Sequence, residues 1–196
     1  MRKEEKEIVV LLGDSIRLGY CERVKERLSG AYTVWYPSEN CRHTQYMITA
    51  LRGYAETLSN PEQVCLVVFN CGHWDAAHFG GALASLTSEA EYRRNLQMLL
   101  SLLRRYFPRA HLVFATTTPM NPASPDTENP RTDREIVRYN AAAREVMADE
   151  GVTVFDLFAH TRSWGEAAYI DYCHFSEEAF AALGEYVAEE IQKLLS

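Results

Sequence analysis

IVVLLGDSIRLGY, residues Ile8–Tyr20, runs five apolar side chains together and then sets a charged Asp14 and a small hydroxyl, Ser15, directly behind them. An aliphatic run without polar interruption reads as a strand covered on both faces, the kind that parallel sheets contain. Asp and Ser are favoured at helix starts, so the chain is expected to leave this strand by a tight turn and enter a helix at Ser15. Runs of the same character recur at Tyr32–Tyr36, Val64–Phe69, Ala110–Thr116 and Val152–Phe155, with longer helical spacings between them. Short strands alternating with helices build βαβ units. The expected fold is therefore α/β, with a five-stranded parallel sheet between helices.

Two of the helices are explicit. Tyr92, Leu96, Leu99, Leu103 and Phe107 fall on one face, and Ser88 followed by Glu91 forms a capping box that starts that helix. Ala179, Leu183, Val187, Ile191 and Leu194 repeat the stripe behind Ser176, which is placed to cap a final helix. Between the fourth strand and the helix after it lies TTTPMNPASPDTENPRTD, where Pro119, Pro122, Pro125 and Pro130 forbid regular structure. A loop of this length in a compact domain commonly shapes a site.

With 196 residues, 47% hydrophobic and 24% charged, the chain is expected to form one domain over residues 1–196. A net charge of -7 provides no positive field for phosphates, so nucleic acid is not an expected partner. The opening MRKEEKEIVVLL has only Ile8–Leu12 as an apolar stretch, too short for a secretion signal or a membrane span. A cytoplasmic location without membrane contact is the expectation. Cys21, Cys41, Cys65, Cys71 and Cys173 are an odd, scattered set without a C-x-x-C pair, which reads as free thiols.

In a parallel α/β sheet, ligands collect at the carboxyl ends of the strands, and Ser15 stands at the carboxyl end of the first. Its N–H is also one of the unpaired donors of a helix's first turn. Taken alone, Asp14 and Ser15 could be no more than a cap. The stretch YIDYCHFS changes the balance, because Asp171 and His174, three apart just before the last helix, supply an orienting carboxylate and a base. A serine hydroxyl becomes a nucleophile when an imidazole removes its proton and a carboxylate holds the other ring nitrogen. Cys173 beside His174 is the weaker nucleophile candidate, since adjacent side chains point apart.

Gly13-Asp14-Ser15 and Asp171-Tyr172-Cys173-His174 together resemble the SGNH hydrolases, the GDSL esterase/lipase family, over essentially the whole chain. The resemblance implies a three-layer α/β/α flavodoxin-like sandwich, with Ser15 as nucleophile, His174 as base and Asp171 as its partner. It also implies an oxyanion hole built from the Ser15 N–H, a glycine N–H in a second block, and an asparagine side chain in a Gly-x-Asn-Asp third block. PSENCRHTQ resembles the second block with Arg42 in the glycine's place, where a backbone N–H survives the exchange. NCGHWD keeps Gly72 and Asp75 of the third block but carries Trp74 where the asparagine belongs. The Trp74 indole, the His73 ring and the Asn70 side chain can each donate a hydrogen bond in its stead. Asp14, Asn40 and His73, within these blocks, are expected to contact substrate.

The loops SENCRH, GHWDAAHFGG and RSWGEAAYIDY are polar and aromatic together, which suits an acetylated sugar, and the resemblance to carbohydrate esterases points the same way. A lipase or thioesterase is the alternative among enzymes, and a binding module that has lost catalysis is the competing class. His73 and His78 lack the companions of a metal site, so no metal and no cofactor is expected.

Overall fold

The computed structural model describes residues 6–196; residues 1–5 lie outside the described residues. Five strands, β1 (Ile8–Leu12), β2 (Thr33–Trp35), β3 (Val64–Phe69), β4 (His111–Ala115) and β5 (Thr153–Phe155), form one parallel sheet in the order β2-β1-β3-β4-β5. This is the flavodoxin-like order, whose switch point lies between β1 and β3. Leu12 pairs with Phe69 at the carboxyl end of those two strands, so Gly13 and Asn70 leave the sheet side by side.

Alternate residues of the central strands face opposite sides of the sheet, which makes two cores. Val10, Leu12, Val67, Phe69, Leu112 and Phe114 pack against α2 (Thr44–Thr57), α3 (Glu89–Tyr106) and α4 (Asp133–Asp149). Val9, Leu11, Leu66, Val68 and Val113 pack against α1 (Ser15–Leu28) and α6 (Glu177–Leu195), with Leu157 of the short α5 (Leu157–Thr161) beside them. The helix opening at Ser15 and the helix following His174 therefore lie together on one face. The expected α3 stripe is buried throughout, and the Ser88–Glu91 capping box is present. In α6, Ser176 caps as expected, and Leu183, Val187 and Ile191 are buried, with Ala179 and Leu194 at the margin.

Three strands are shorter than the apolar runs suggest. The Tyr32 N–H turns back to Leu28, that of Ala110 to Phe107 and that of Val152 to Met147, so these residues finish helices instead of starting strands. All five cysteines are free. Among the described residues no helix is long and apolar enough to cross a membrane.

Candidate active site

The turn after β1 is built by what Gly13 lacks. A Cβ there would lie 1.9 Å from Asn70 Oδ1 and 2.8 Å from Arg17 Cβ, so only glycine lets the ends of β1 and β3 approach this closely. Asp14 then caps α1, its Oδ1 accepting the Ile16 N–H at 3.0 Å, and this makes Ser15 the first residue of the helix. Arg17, one turn on, is completely buried among backbone carbonyls. Its guanidinium donates to Pro37 O at 2.8 Å, Glu39 O at 2.6 Å and Gly13 O at 3.2 Å, which ties the loop before α2 to the Ser15 turn. The Cys41 N–H adds a bond to Gly13 O at 2.9 Å.

The segment before α6 folds on itself through an antiparallel bridge between Tyr169 and Phe175. Inside that turn Asp171 Oδ1 accepts the N–H groups of Cys173 and His174 at 2.9 and 2.8 Å. Its Oδ2 stands 2.7 Å from His174 Nδ1, and His174 Nε2 stands 2.7 Å from Ser15 Oγ. Two segments remote in sequence thus converge into an unbroken line of carboxylate, imidazole and hydroxyl. Burial resists ionisation of Asp171, but the two N–H donors and the imidazole outweigh it and hold the carboxyl below its usual range. Burial pushes the Cys173 thiol up to about 12, so it stays protonated and is not a competing nucleophile. Asp171, Cys173 and His174 also form a close group of metal-ligand types. Both ring nitrogens are engaged and the sulfur keeps its proton, so the group presents no free ligand set.

Ser15 and His174 open into a cavity of about 310 Å³ whose wall includes Asn40, His73, Trp74, Phe79 and Tyr172. Cys173 also lines the wall, and the proline-rich loop adds Asp126, Asn129 and Arg131 to it. The expectation that this loop shapes the site is met, but these three side chains were not singled out from the sequence; the available signal was a long loop at the carboxyl end of β4. Asp126 organises it. Its Oδ1 accepts the Glu128 and Asn129 N–H groups at 3.1 and 2.9 Å, while Oδ2 pairs with Arg131 at 3.3 Å. Arg131 lies over the Tyr172 ring, 5.1 Å from its centre. Asn121 braces the far side by donating to Asp171 O at 3.0 Å.

Several sequence expectations change here. Asp14, expected to touch substrate, is wholly buried and spends its carboxylate on the helix cap; burial raises its pKa. Asn70, an oxyanion candidate, is buried behind the Gly13 turn and is not part of the cavity wall. The Arg42 N–H is not free for an oxyanion, because it donates to Asn40 Oδ1 at 2.7 Å. Arg42 does adopt φ 54°, a conformation that glycine takes more easily. Trp74 lines the cavity with its ring 5.7 Å from that of Phe79. His73 also lines it, with Nε2 3.1 Å from Thr118 Oγ1; burial, with the Arg131 and His174 charges nearby, pushes its pKa well below the usual value and keeps it neutral.

Asp75 sits beneath this wall and accepts the Thr44 N–H at 3.1 Å and the Thr44 hydroxyl at 2.6 Å, which fixes the start of α2. Burial outweighs those bonds and pushes its carboxyl up from 3.8 to about 6. Between about pH 4 and 6 the unfolded chain loses this proton while the folded chain keeps it, so stability falls as pH rises through that window and then levels. A rise of roughly two units corresponds to about 3 kcal/mol. The stability by which wild type exceeds an Asp75→Asn variant should therefore shrink by about that amount between pH 4 and pH 7 in urea unfolding. A difference that does not change with pH would mean the carboxyl titrates as it does in the unfolded chain.

The model of the GDSL-like Lipase/Acylhydrolase family matches residues 11–182. Among solved structures, the lipase/acylhydrolase from Enterococcus faecalis is 22% identical, with a TM-score of 0.72, covering 95% of this chain and 96% of that one. An acetyl xylan esterase is 16% identical, with a TM-score of 0.71 over 96% of this chain and 100% of its own. A carbohydrate acetylesterase from Sinorhizobium meliloti is also 16% identical, with a TM-score of 0.71 and the same coverage, 96% and 100%. At such identities the likeness is one of fold. No curated protein matches the chain.

Proposed function

The chain belongs to the GDSL-like lipase/acylhydrolase family and is an ester hydrolase, and from that premise we propose that it removes short acyl groups, acetyl above all, from carbohydrate esters through Ser15, His174 and Asp171. The observation that carries the reading is the 2.7 Å contact of Ser15 Oγ with His174 Nε2, with Asp171 Oδ2 2.7 Å from the other ring nitrogen. Ser15 Oγ attacks the ester carbonyl carbon while His174 takes the hydroxyl proton, and Asp171 stabilises the imidazolium that results. Collapse of the tetrahedral intermediate breaks the ester C–O bond, and His174 returns the proton to the departing sugar oxygen. A water then attacks the acyl-enzyme, giving its proton to His174, and the carboxylic acid leaves as Ser15 is regenerated.

The substrate reading is supported by the cavity. Trp74, Phe79 and Tyr172 offer flat apolar faces for a sugar ring, while Asn129 and Arg131 offer hydrogen bonds to hydroxyls. Its volume of about 310 Å³ is small for a sugar together with a long acyl chain. On p-nitrophenyl esters, kcat/KM for acetate should exceed that for octanoate at least about tenfold, and acetate should be released from acetylated xylose or glucose. A second reading, a lipase or thioesterase, draws on Phe79, Leu83 and Leu86, large apolar side chains exposed on one loop beside the cavity. Octanoate hydrolysed faster than acetate would select it.

A further inference from the structure

Resting on the reading of Ser15 and His174 just given, we propose that the side-chain amide of Asn40 is the donor that holds the oxyanion in this enzyme, in place of the second-block N–H and the third-block asparagine. The tetrahedral intermediate carries a negative oxygen that needs fixed donors close to Ser15. One is the Ser15 N–H, which as the first donor of α1 has no partner within the helix. Apart from the Trp74 indole N–H, which also lines the cavity, the groups expected to complete the set are absent or committed elsewhere. Trp74 replaces the asparagine, the Arg42 N–H is bound to Asn40 Oδ1, and Asn70 lies away from the cavity. His73 has Nε2 beside Thr118 and its Nδ1 sealed in the interior.

Asn40 shares the cavity wall with Ser15 and His174 and is half-buried. The bond from Arg42 fixes which way its amide faces. A backbone N–H can only donate, so the atom 2.7 Å from Arg42 N is the oxygen, and the NH2 group is left on the opposite edge. That group has no hydrogen-bond acceptor among the described residues. The residue is also held rigidly. Arg17 grips the carbonyls of Pro37 and Glu39 on one side, and the Cys41 N–H grips Gly13 O on the other. Arg42 is kept in a left-handed conformation that a non-glycine residue adopts only at a cost. The same turn that withdraws a backbone donor from the site thus presents a side-chain donor to it, positioned before substrate arrives.

Asn40→Asp keeps the oxygen that caps the Arg42 turn and removes the NH2 group, whereas Asn40→Ala removes both. On p-nitrophenyl acetate, both variants should lose about 100- to 1,000-fold in kcat, with KM within about threefold of wild type. The melting temperature of Asn40→Asp should stay close to that of wild type. An alkyl boronic acid, which adds reversibly to the serine and places an oxygen where the oxyanion forms, should inhibit the variants more weakly by a similar factor. A fluorophosphonate probe followed by peptide mapping separates the two ways of failing. If wild type is labelled at Ser15 but Asn40→Asp keeps kcat and boronic acid affinity within about threefold, the role of Asn40 is overturned alone. If wild type is not labelled at Ser15, the underlying reading falls with it.

Discussion

A Ser15→Ala variant should lose about a millionfold in kcat on p-nitrophenyl acetate, the loss typical when a serine nucleophile is deleted from a working triad. The local reason is that nothing adjacent can take over. The Cys173 sulfur is 3.9 Å from His174 Nδ1, the nitrogen that Asp171 occupies, and its thiol is held protonated by burial. Ser15 is the side chain facing Nε2. His174→Ala should cost about as much, and the double variant should be no slower than either single one, because the imidazole acts only through the hydroxyl. Steady-state rates of the three variants beside wild type decide the matter. Losses that multiply in the double variant would mean the two side chains contribute independently and the proposed relay is wrong. A Ser15→Ala protein that retains more than about a hundredth of the rate would mean another nucleophile does the chemistry.

Arg17→Met should cost stability on the largest scale expected of a single substitution in this chain. Methionine fills much of the same space but leaves the carbonyls of Pro37 and Glu39 without their guanidinium donor, while Gly13 O keeps the Cys41 N–H. Each orphaned carbonyl costs about 1–3 kcal/mol, so a loss of roughly 2 kcal/mol or more is expected, against about 5–15 kcal/mol for a typical domain. Urea unfolding measures it. The loop that carries Asn40 would also lose its anchor to the Ser15 turn, so kcat should fall in whatever protein remains folded. Stability within about 0.5 kcal/mol of wild type would mean that water reaches those carbonyls, and the anchoring role would be wrong.

What the sequence made legible is what depends on local pattern. Uninterrupted apolar runs located all five strands, because a strand covered on both faces has no polar alternation to obscure it. The Ser88 and Ser176 caps were readable because the cap and its donors are close in sequence. The chemical meaning of Ser15, Asp171 and His174 came from residue type at short spacing together with a family resemblance, and the fold does bring the three together. What failed depends on where a side chain or an N–H points in three dimensions. Asp14 has the residue type of a cap and of a substrate ligand alike, and only its burial separates the two. The Arg42 N–H is diverted by the Asn40 side chain two residues away, a turn that residue spacing does not announce. Nothing in the local sequence marks Arg17 as buried; only the loop folded over it makes it a clamp. Asp126 and Arg131 emerge from a stretch without periodicity, where only the folded path shows which residues meet.

Ser15 opens α1 and His174 immediately precedes α6, and these two helices pack side by side, with Phe180 filling the space that the missing side chain of Gly19 leaves. The contact between Ser15 and His174 therefore exists only while α6 stays docked on α1, so a nick that releases α6 should part the hydroxyl from the imidazole and abolish ester hydrolysis.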